Sequence, residues 1–302
     1  MKKHVIASAV TAVLCSGAAS AATVYQQDEL KLDLKGDLQV QLFQKPGEDQ
    51  DMVVDYDDLE LKFGAEYDLG NNMAAFGKLE LDWKNQGDGS DDDIVDDAYV
   101  GLKFNAMSVS LGRMYWASDD FAAEKAIEMD GGTAFPETGG TETLKFEYSD
   151  AMFGAVVSYD LEEEDGDSTV FEVVLTTKLA MVDLGVAYQS YEDDPSAAGS
   201  ESIDTLGILA SADAGPVNLA FDFTSNDDLD AINFAASVPF AETVEGAAGV
   251  TQHSPDEGDD VLYWYANVTK AMHKNVSVFA EIGNSDEDDS DMGFLAGMRV
   301  KF

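Results

Sequence analysis

Carboxylates are the side chains in this sequence best placed to do chemistry, and two runs crowd them together: Asp88-Gly89-Ser90-Asp91-Asp92-Asp93 and Asp286-Glu287-Asp288-Asp289-Ser290-Asp291. Such runs invite Ca²⁺, which takes about six to eight oxygen ligands. Neither has the D-x-[DN]-x-[DN]-G-x₅-E spacing of a helix-loop-helix calcium site, so both read as loose, unspecific binders of divalent ions. His4, His253 and His273 are too scattered for a metal triad or an acid-base dyad. No G-x-S-x-G, P-loop or dinucleotide fingerprint occurs. The sequence therefore predicts no catalytic residue, no metal site and no cofactor, and it does not read as an enzyme.

What remains is the chemistry of charge. The chain has 302 residues, with 60 Asp+Glu against 17 Lys+Arg and a formal charge of −43. Nucleic acid is excluded as a partner, because no basic surface is available to displace phosphate counterions. A content of 45% hydrophobic and 10% aromatic residues argues against a disordered polyanion.

Residues 1–21 stand apart. Lys2 and Lys3 precede a short apolar run over 5–14, and Ala19-Ser20-Ala21 supplies a small-x-small cleavage pattern. This reads as a Sec signal peptide, too short to span a bilayer. Cys15, the one cysteine, lies inside it behind Leu14, which disfavours lipidation. Removing the segment leaves a single domain, 22–302, with no thiol and no disulfide.

The elements that must carry these charges follow a period of two. Leu30, Leu32, Leu34, Leu38, Val40 and Leu42 share one parity, and Lys31, Asp33, Lys35, Asp37, Gln39 and Gln41 take the other. The same alternation predicts strands at 59–67, 78–84, 97–104, 107–115, 141–149, 153–161, 169–178 and 182–191, with fainter ones at 203–212, 217–224, 231–238 and 244–252. Three more follow at 261–271, 276–283 and 292–302, for sixteen in all. A soluble β-sandwich also alternates, so a secreted acidic β-protein with a binding or surface role is a rival reading.

Connection lengths separate the two readings. Every second connection is long and acidic: 45–52, 85–94, 116–140, 162–168, 192–202, 225–230, 253–260 and 284–291 together hold 34 acids and only Lys45 and Lys125 as bases. The others are tight, such as Asn105-Ala106 and Asp213-Ala214-Gly215-Pro216. Long loops at one end and short turns at the other describe an outer-membrane barrel. Closure has a physical cause, since every backbone N–H and C=O in hydrocarbon needs a partner. Aromatics at strand ends, including Tyr67, Trp83, Tyr115, Trp116, Tyr159 and Phe302, fit interfacial girdles.

Four pieces of sequence resemble the general porins of Gram-negative outer membranes. They are the opening Leu30-Lys31-Leu32-Asp33-Leu34-Lys35-Gly36-Asp37-Leu38-Gln39; the pair Asp97-Ala98-Tyr99-Val100-Gly101-Leu102-Lys103-Phe104 and Val109-Ser110-Leu111-Gly112-Arg113; the longest loop, 116–140, directly after that pair; and an end on Phe302 with alternating apolar residues before it. The resemblance implies an all-β, 16-stranded antiparallel transmembrane barrel with a long third loop folded into the lumen. It also implies a homotrimer in the outer membrane, in contact with lipid and lipopolysaccharide and inserted by the barrel-assembly machinery through a C-terminal signal at Phe302. Small hydrophilic solutes and ions would pass without covalent chemistry; a substrate-selective porin of the same fold is the alternative.

By the same resemblance, loop carboxylates at Asp119, Asp120, Glu124, Glu128, Asp130 and Glu137 would face a basic wall across the narrowest section. Polar parity offers Lys31, Lys35, Lys62, Lys78, Lys103 and Lys145 for that wall, and the resemblance adds Arg113. Strict alternation puts Arg113 on the apolar face with Val109 and Leu111, so either a bulge turns it inward or it lies at the outer strand end. The acidic mouth predicts a cation-selective pore.

Overall fold

A computed structural model describes residues 22–84, 94–161, 169–192 and 202–302. Residues 1–21, read above as a signal peptide, and the acidic run at 88–93 lie outside the described residues. The chain forms β1 (Ala22–Gln27), β2 (Leu30–Gln44), β3 (Val53–Asp55), β4 (Leu59–Gly70), β5 (Met73–Asp82), β6 (Val95–Phe104) and β7 (Met107–Tyr115). After a long connection come β8 (Gly139–Ser149), β9 (Phe153–Asp160), β10 (Thr169–Leu179), β11 (Val182–Glu192), β12 (Ile203–Ala214) and β13 (Val217–Ser225). The last five are β14 (Leu229–Ala241), β15 (Val244–Pro255), β16 (Val261–His273), β17 (Val276–Ser285) and β18 (Gly293–Lys301).

Each wall strand runs antiparallel to the next, and β18 returns to β2, so β2 and β4 to β18 close a ring of sixteen. The faint segments at 203–252 are regular strands in this ring. Alternation did not predict β1 or β3. Both serve β2, which at 15 residues outruns its neighbours. β18 covers Asp37 to Gln44, and β1 covers Leu30 to Leu34; β4 covers Leu30 to Leu38, and β3 covers Gln41 to Phe43. The two short pieces thus pair backbone groups that would otherwise lack partners in the wall.

Tight turns join the strands at one end. Asn71 and Asn72 both adopt positive φ, 55° and 60°, in the two-residue turn between β4 and β5. This is the conformation that matches the right-handed twist of a hairpin. At the seam, Gly36 and Phe302 exchange two main-chain hydrogen bonds of 2.9 and 3.0 Å, and the Phe302 ring occupies the space a Cβ at position 36 would need.

The two faces of the wall invert the usual order of a soluble protein. Large apolar side chains stand exposed along the outside, among them Val40, Leu42, Val100, Val186, Leu206 and Ile208, whereas Gln39, Gln41, Glu172, Gln189, Asp222 and Glu281 are buried. Such an outer surface suits lipid, and the polar row belongs to the inside. Tyr67, Tyr115, Tyr159 and Phe302 are exposed at strand ends as a girdle requires. Trp116 departs from that expectation: it is 2% exposed, and its indole N–H donates to Thr143 Oγ1 at 2.8 Å.

Candidate functional site

The segment 116–138 between β7 and β8 follows inward-facing side chains from strand to strand. The amides of Ala117 and Ser118 donate to Glu172 on β10 at 2.9 and 3.1 Å. Ala123 donates to Asp222 on β13, and Lys125 to the Tyr265 hydroxyl on β16, both at 2.5 Å. Glu281 on β17 then accepts three successive amides, from Ile127, Glu128 and Met129, at 2.7, 2.8 and 2.9 Å. The segment turns back there, with Ala134 N–H donating to Thr224 on β13 and Gln189 on β11 donating to the Glu137 carbonyl.

Apolar contacts reinforce this path. Phe121 and Phe135 pack edge to face with centroids 5.8 Å apart, over Val174 and Ala187 of the wall. Gly185 and Gly207 leave the room that the Phe121 ring fills. Met129 joins a second cluster with Phe43, Tyr265, Phe279 and Leu295. A stretch with no regular secondary structure is therefore held by buried side chains at both ends and at its tip.

The predicted loop carboxylates fall into two groups. Asp119, Asp120 and Glu137 are exposed; Glu124, Glu128 and Asp130 are half-buried. Glu128 accepts from Gln41 Nε2 at 3.1 Å, and burial together with the nearby Asp57 charge pushes its carboxyl up to about 8. Burial also raises Glu124 to about 7, with Asp130 adding to the effect. Asp57, in the connection after β3, is raised as well, chiefly by burial, and accepts from Gln39 at 2.6 Å.

The basic candidates do not form an open ladder facing those acids. Lys62 is ion-paired to Glu60 at 2.7 Å and also contacts Glu80, while Lys78 sits 2.5 Å from both Glu80 and Asp97. Lys31 pairs with Asp33 at 2.5 Å. Lys145 donates to the Tyr115 carbonyl at 3.1 Å and lies 3.6 Å from Glu147. Lys35 and Lys103 are exposed. Lys31, Lys62, Lys78 and Lys145 each have a carboxylate of the wall as ion-pair partner, so opposite charges pair locally.

Arg113 lies opposite Ala98, in the row of Val100 and Leu102, and its Nη1 donates to the Val95 carbonyl at 2.7 Å, at the loop end of β6. A register irregularity does fall between Gly112 and Met114, with Gly112 at φ 137°, so the bulge and the strand-end position that the sequence offered as alternatives occur together at Arg113. Reading by parity passed over Arg299, whose guanidinium grips Asp37 at 2.5 Å and Asp58 at 2.6 Å, with Lys301 3.2 Å from Asp37. Its signal was available: Arg299 alternates with Met298 and Val300. A cavity of about 890 Å³ is lined by Gln39, Asp57, Glu124, Lys125, Arg299 and Lys301 among others, so loop and wall charges border the same space.

A closed sixteen-stranded ring with apolar outside, polar inside and a long third connection is the architecture that sequence resemblance implied. The model of the Gram-negative porin family matches residues 7–290. The chain belongs to that family. It is an outer-membrane porin, and the rival reading as a secreted soluble β-protein falls with the family match and the exposed apolar rows.

Among porin relatives, porin-like protein H of Photobacterium profundum is 28% identical, with both chains covered in full. Outer membrane porin protein OmpD of Citrobacter koseri is 34% identical over 46% of this chain, but that match spans only 38% of OmpD. The monosaccharide porin of a Halomonas species is 28% identical over 57% of this chain and 55% of its own. In fold, a loop L8 deletion mutant of OmpT from Vibrio cholerae superimposes with a TM-score of 0.78 at 19% identity, over 91% of this porin and all of that chain. An anion-selective porin from Comamonas acidovorans superimposes with 0.75 at 14% identity, over 91% and 100%. The fold is thus shared with a pore described as anion-selective, so selectivity has to be argued from side chains.

Proposed function

We propose that this porin is a passive, cation-selective diffusion channel for small hydrophilic solutes and ions, with segment 116–138 folded into the lumen as its constriction. The observation that carries the selectivity is the placement of charge: 34 acids and two bases lie on the long connections. A mouth of that composition concentrates cations and repels anions within a Debye length of about 8–10 Å at physiological salt. Glu124, Glu128 and Asp130 bring carboxyls to the narrowest section that add to the acidic surface as they lose their protons, and the bonds of 116–138 to inward-facing side chains support its place there.

Residues 1–21 serve as the Sec export signal, and 22–302 form the one barrel domain. A homotrimer is the assembly this reading assigns, supported by the trimer form recorded for OmpT of Vibrio cholerae, a chain of the same fold. Outer-membrane lipid and lipopolysaccharide surround the barrel, and Phe302 presents the C-terminal strand to the assembly machinery. No covalent chemistry is assigned. The Halomonas relative named a monosaccharide porin favours one alternative, a substrate-selective channel, which would show saturable block of current by a single sugar. Planar-bilayer recording of the purified protein in a KCl gradient tests the main reading: the reversal potential is expected on the K⁺ side, and a Cl⁻-side value would refute cation selectivity.

A further inference from the structure

Two lysines of the wall, Lys62 and Lys78, carry little of their charge into the pore, because each is bracketed by two carboxylates of the wall itself. Along β4, β5 and β6 the order of contacts is Glu60, Lys62, Glu80, Lys78, Asp97. The lysine side chains are 31% exposed, whereas those of Glu60, Glu80 and Asp97 are 12%, 3% and 7% exposed. The lysine side chains are therefore the more open part of this row, with the acids packed more deeply. Carboxylate oxygens of Glu60, Glu80 and Asp96 also lie within 4.8 Å of one another, so acids outnumber bases in the patch. None of the loop bonds described above reaches β4, β5 or β6, so the carboxylates of this patch are engaged with lysines and not with the amides of 116–138.

We propose that Glu60, Glu80 and Asp97 are selectivity-determining residues of this channel, cancelling Lys62 and Lys78 so that the wall opposite the loop offers permeating anions no net positive charge. The inference rests on the proposed cation-selective pore and assigns part of that selectivity to the wall instead of the loop. Glu80 is the pivotal member, since among the described residues it alone contacts both lysines. Removing it takes one of two carboxylate partners from both ammonium groups at once, leaving Glu60 on Lys62 and Asp97 on Lys78. Asp97 restrains Lys78 only. Partly covered pairs of this kind are screened by salt less than exposed ones, so the cancellation persists at physiological ionic strength.

The test is the ratio of K⁺ to Cl⁻ permeability in planar bilayers, taken from reversal potentials in a KCl gradient. Glu80→Gln should lower the ratio about two- to fivefold, the weight of one unit charge at about 4–8 Å in a watery pore. Asp97→Asn should lower it by less, and Lys62→Gln should raise it. If Glu80→Gln is not recovered as a folded channel, the opposite shifts of Asp97→Asn and Lys62→Gln decide the matter. Conducting variants that all keep the wild-type ratio would overturn the proposal, as would a ratio moved by Glu128→Gln in the loop but by none of the wall changes. A wild-type pore that prefers Cl⁻ would sink the proposed function, and the shifts between variants would still be read independently.

Discussion

On the inner face of β10, β13 and β17, carboxylates meet backbone amides, whereas on β4, β5 and β6 they meet ammonium groups. Glu172, Asp222 and Glu281 each accept N–H groups from segment 116–138, while Glu60, Glu80 and Asp97 each hold a lysine. The residue types are the same and the burial is similar. What differs is the partner, and the partner decides whether an acid anchors chain or sets charge. A carboxylate that satisfies amides fixes the position of a loop; one that brackets an ammonium group edits the potential of the wall.

The anchoring half should respond most strongly. Glu281→Ala strips acceptors from three successive amides and from Asn267, which donates to the same carboxylate at 2.9 Å. Leaving those donors unpaired should weaken the seating of the segment by about 3–5 kcal/mol, seen as a lower thermal transition in detergent and larger, noisier single-channel conductance. Glu281→Gln, which keeps one carbonyl acceptor, should cost about half as much. An unchanged transition would erase the distinction between the two halves.

Proton uptake sharpens the same comparison at the loop tip. Glu128 and Glu124 are raised to about 8 and about 7, both chiefly by burial, above an unfolded value of about 4.3. The folded chain then binds more protons than the unfolded chain between these values, so the contribution of these groups to stability declines as pH rises through about 5 to 8. Cation preference should move the other way, growing between about pH 6 and 9 as the two carboxyls ionise. Recordings of Glu128→Gln across that range should show a flatter profile than the wild type.

Lys103 marks the low end of the scale. It is exposed near the tight turn after β6 and has no ion pair with the described residues. Lys103→Gln should shift stability by less than about 0.5 kcal/mol and move the reversal potential less than any change in the Glu80 row.

The fold was legible because a wall between lipid and water imposes strict alternation, and residues such as Val100, Leu102, Asp97 and Lys103 obey it. β1 and β3 escaped notice for the opposite reason: they are short and exist to pair stretches of β2, a need that appears only once the ring is closed. The acids of 116–138 were visible as charges. Their anchors were not, since parity marks Glu172, Asp222 and Glu281 as inward and polar without saying which amide will reach them. Trp116, Phe121 and Phe135 were the available clue, because three aromatics in an acidic loop call for burial. The pairing of Lys62 and Lys78 was missed because parity assigns a face and ignores the neighbour across the strand.

The seam between β18 and β2 bears on how the barrel comes to exist. Gly36 and Phe302 are bonded to each other across nearly the whole length of the wall sequence. Every other junction of the ring is a hairpin between consecutive segments and can zip locally, but this one has the highest contact order in the molecule and must wait for all the rest. Until it forms, the growing sheet carries two unpaired edges, which hydrocarbon penalises heavily. Insertion should therefore be a single cooperative event in kinetics, with the last junction as its slow step and open-edged sheets as its aggregation-prone side products.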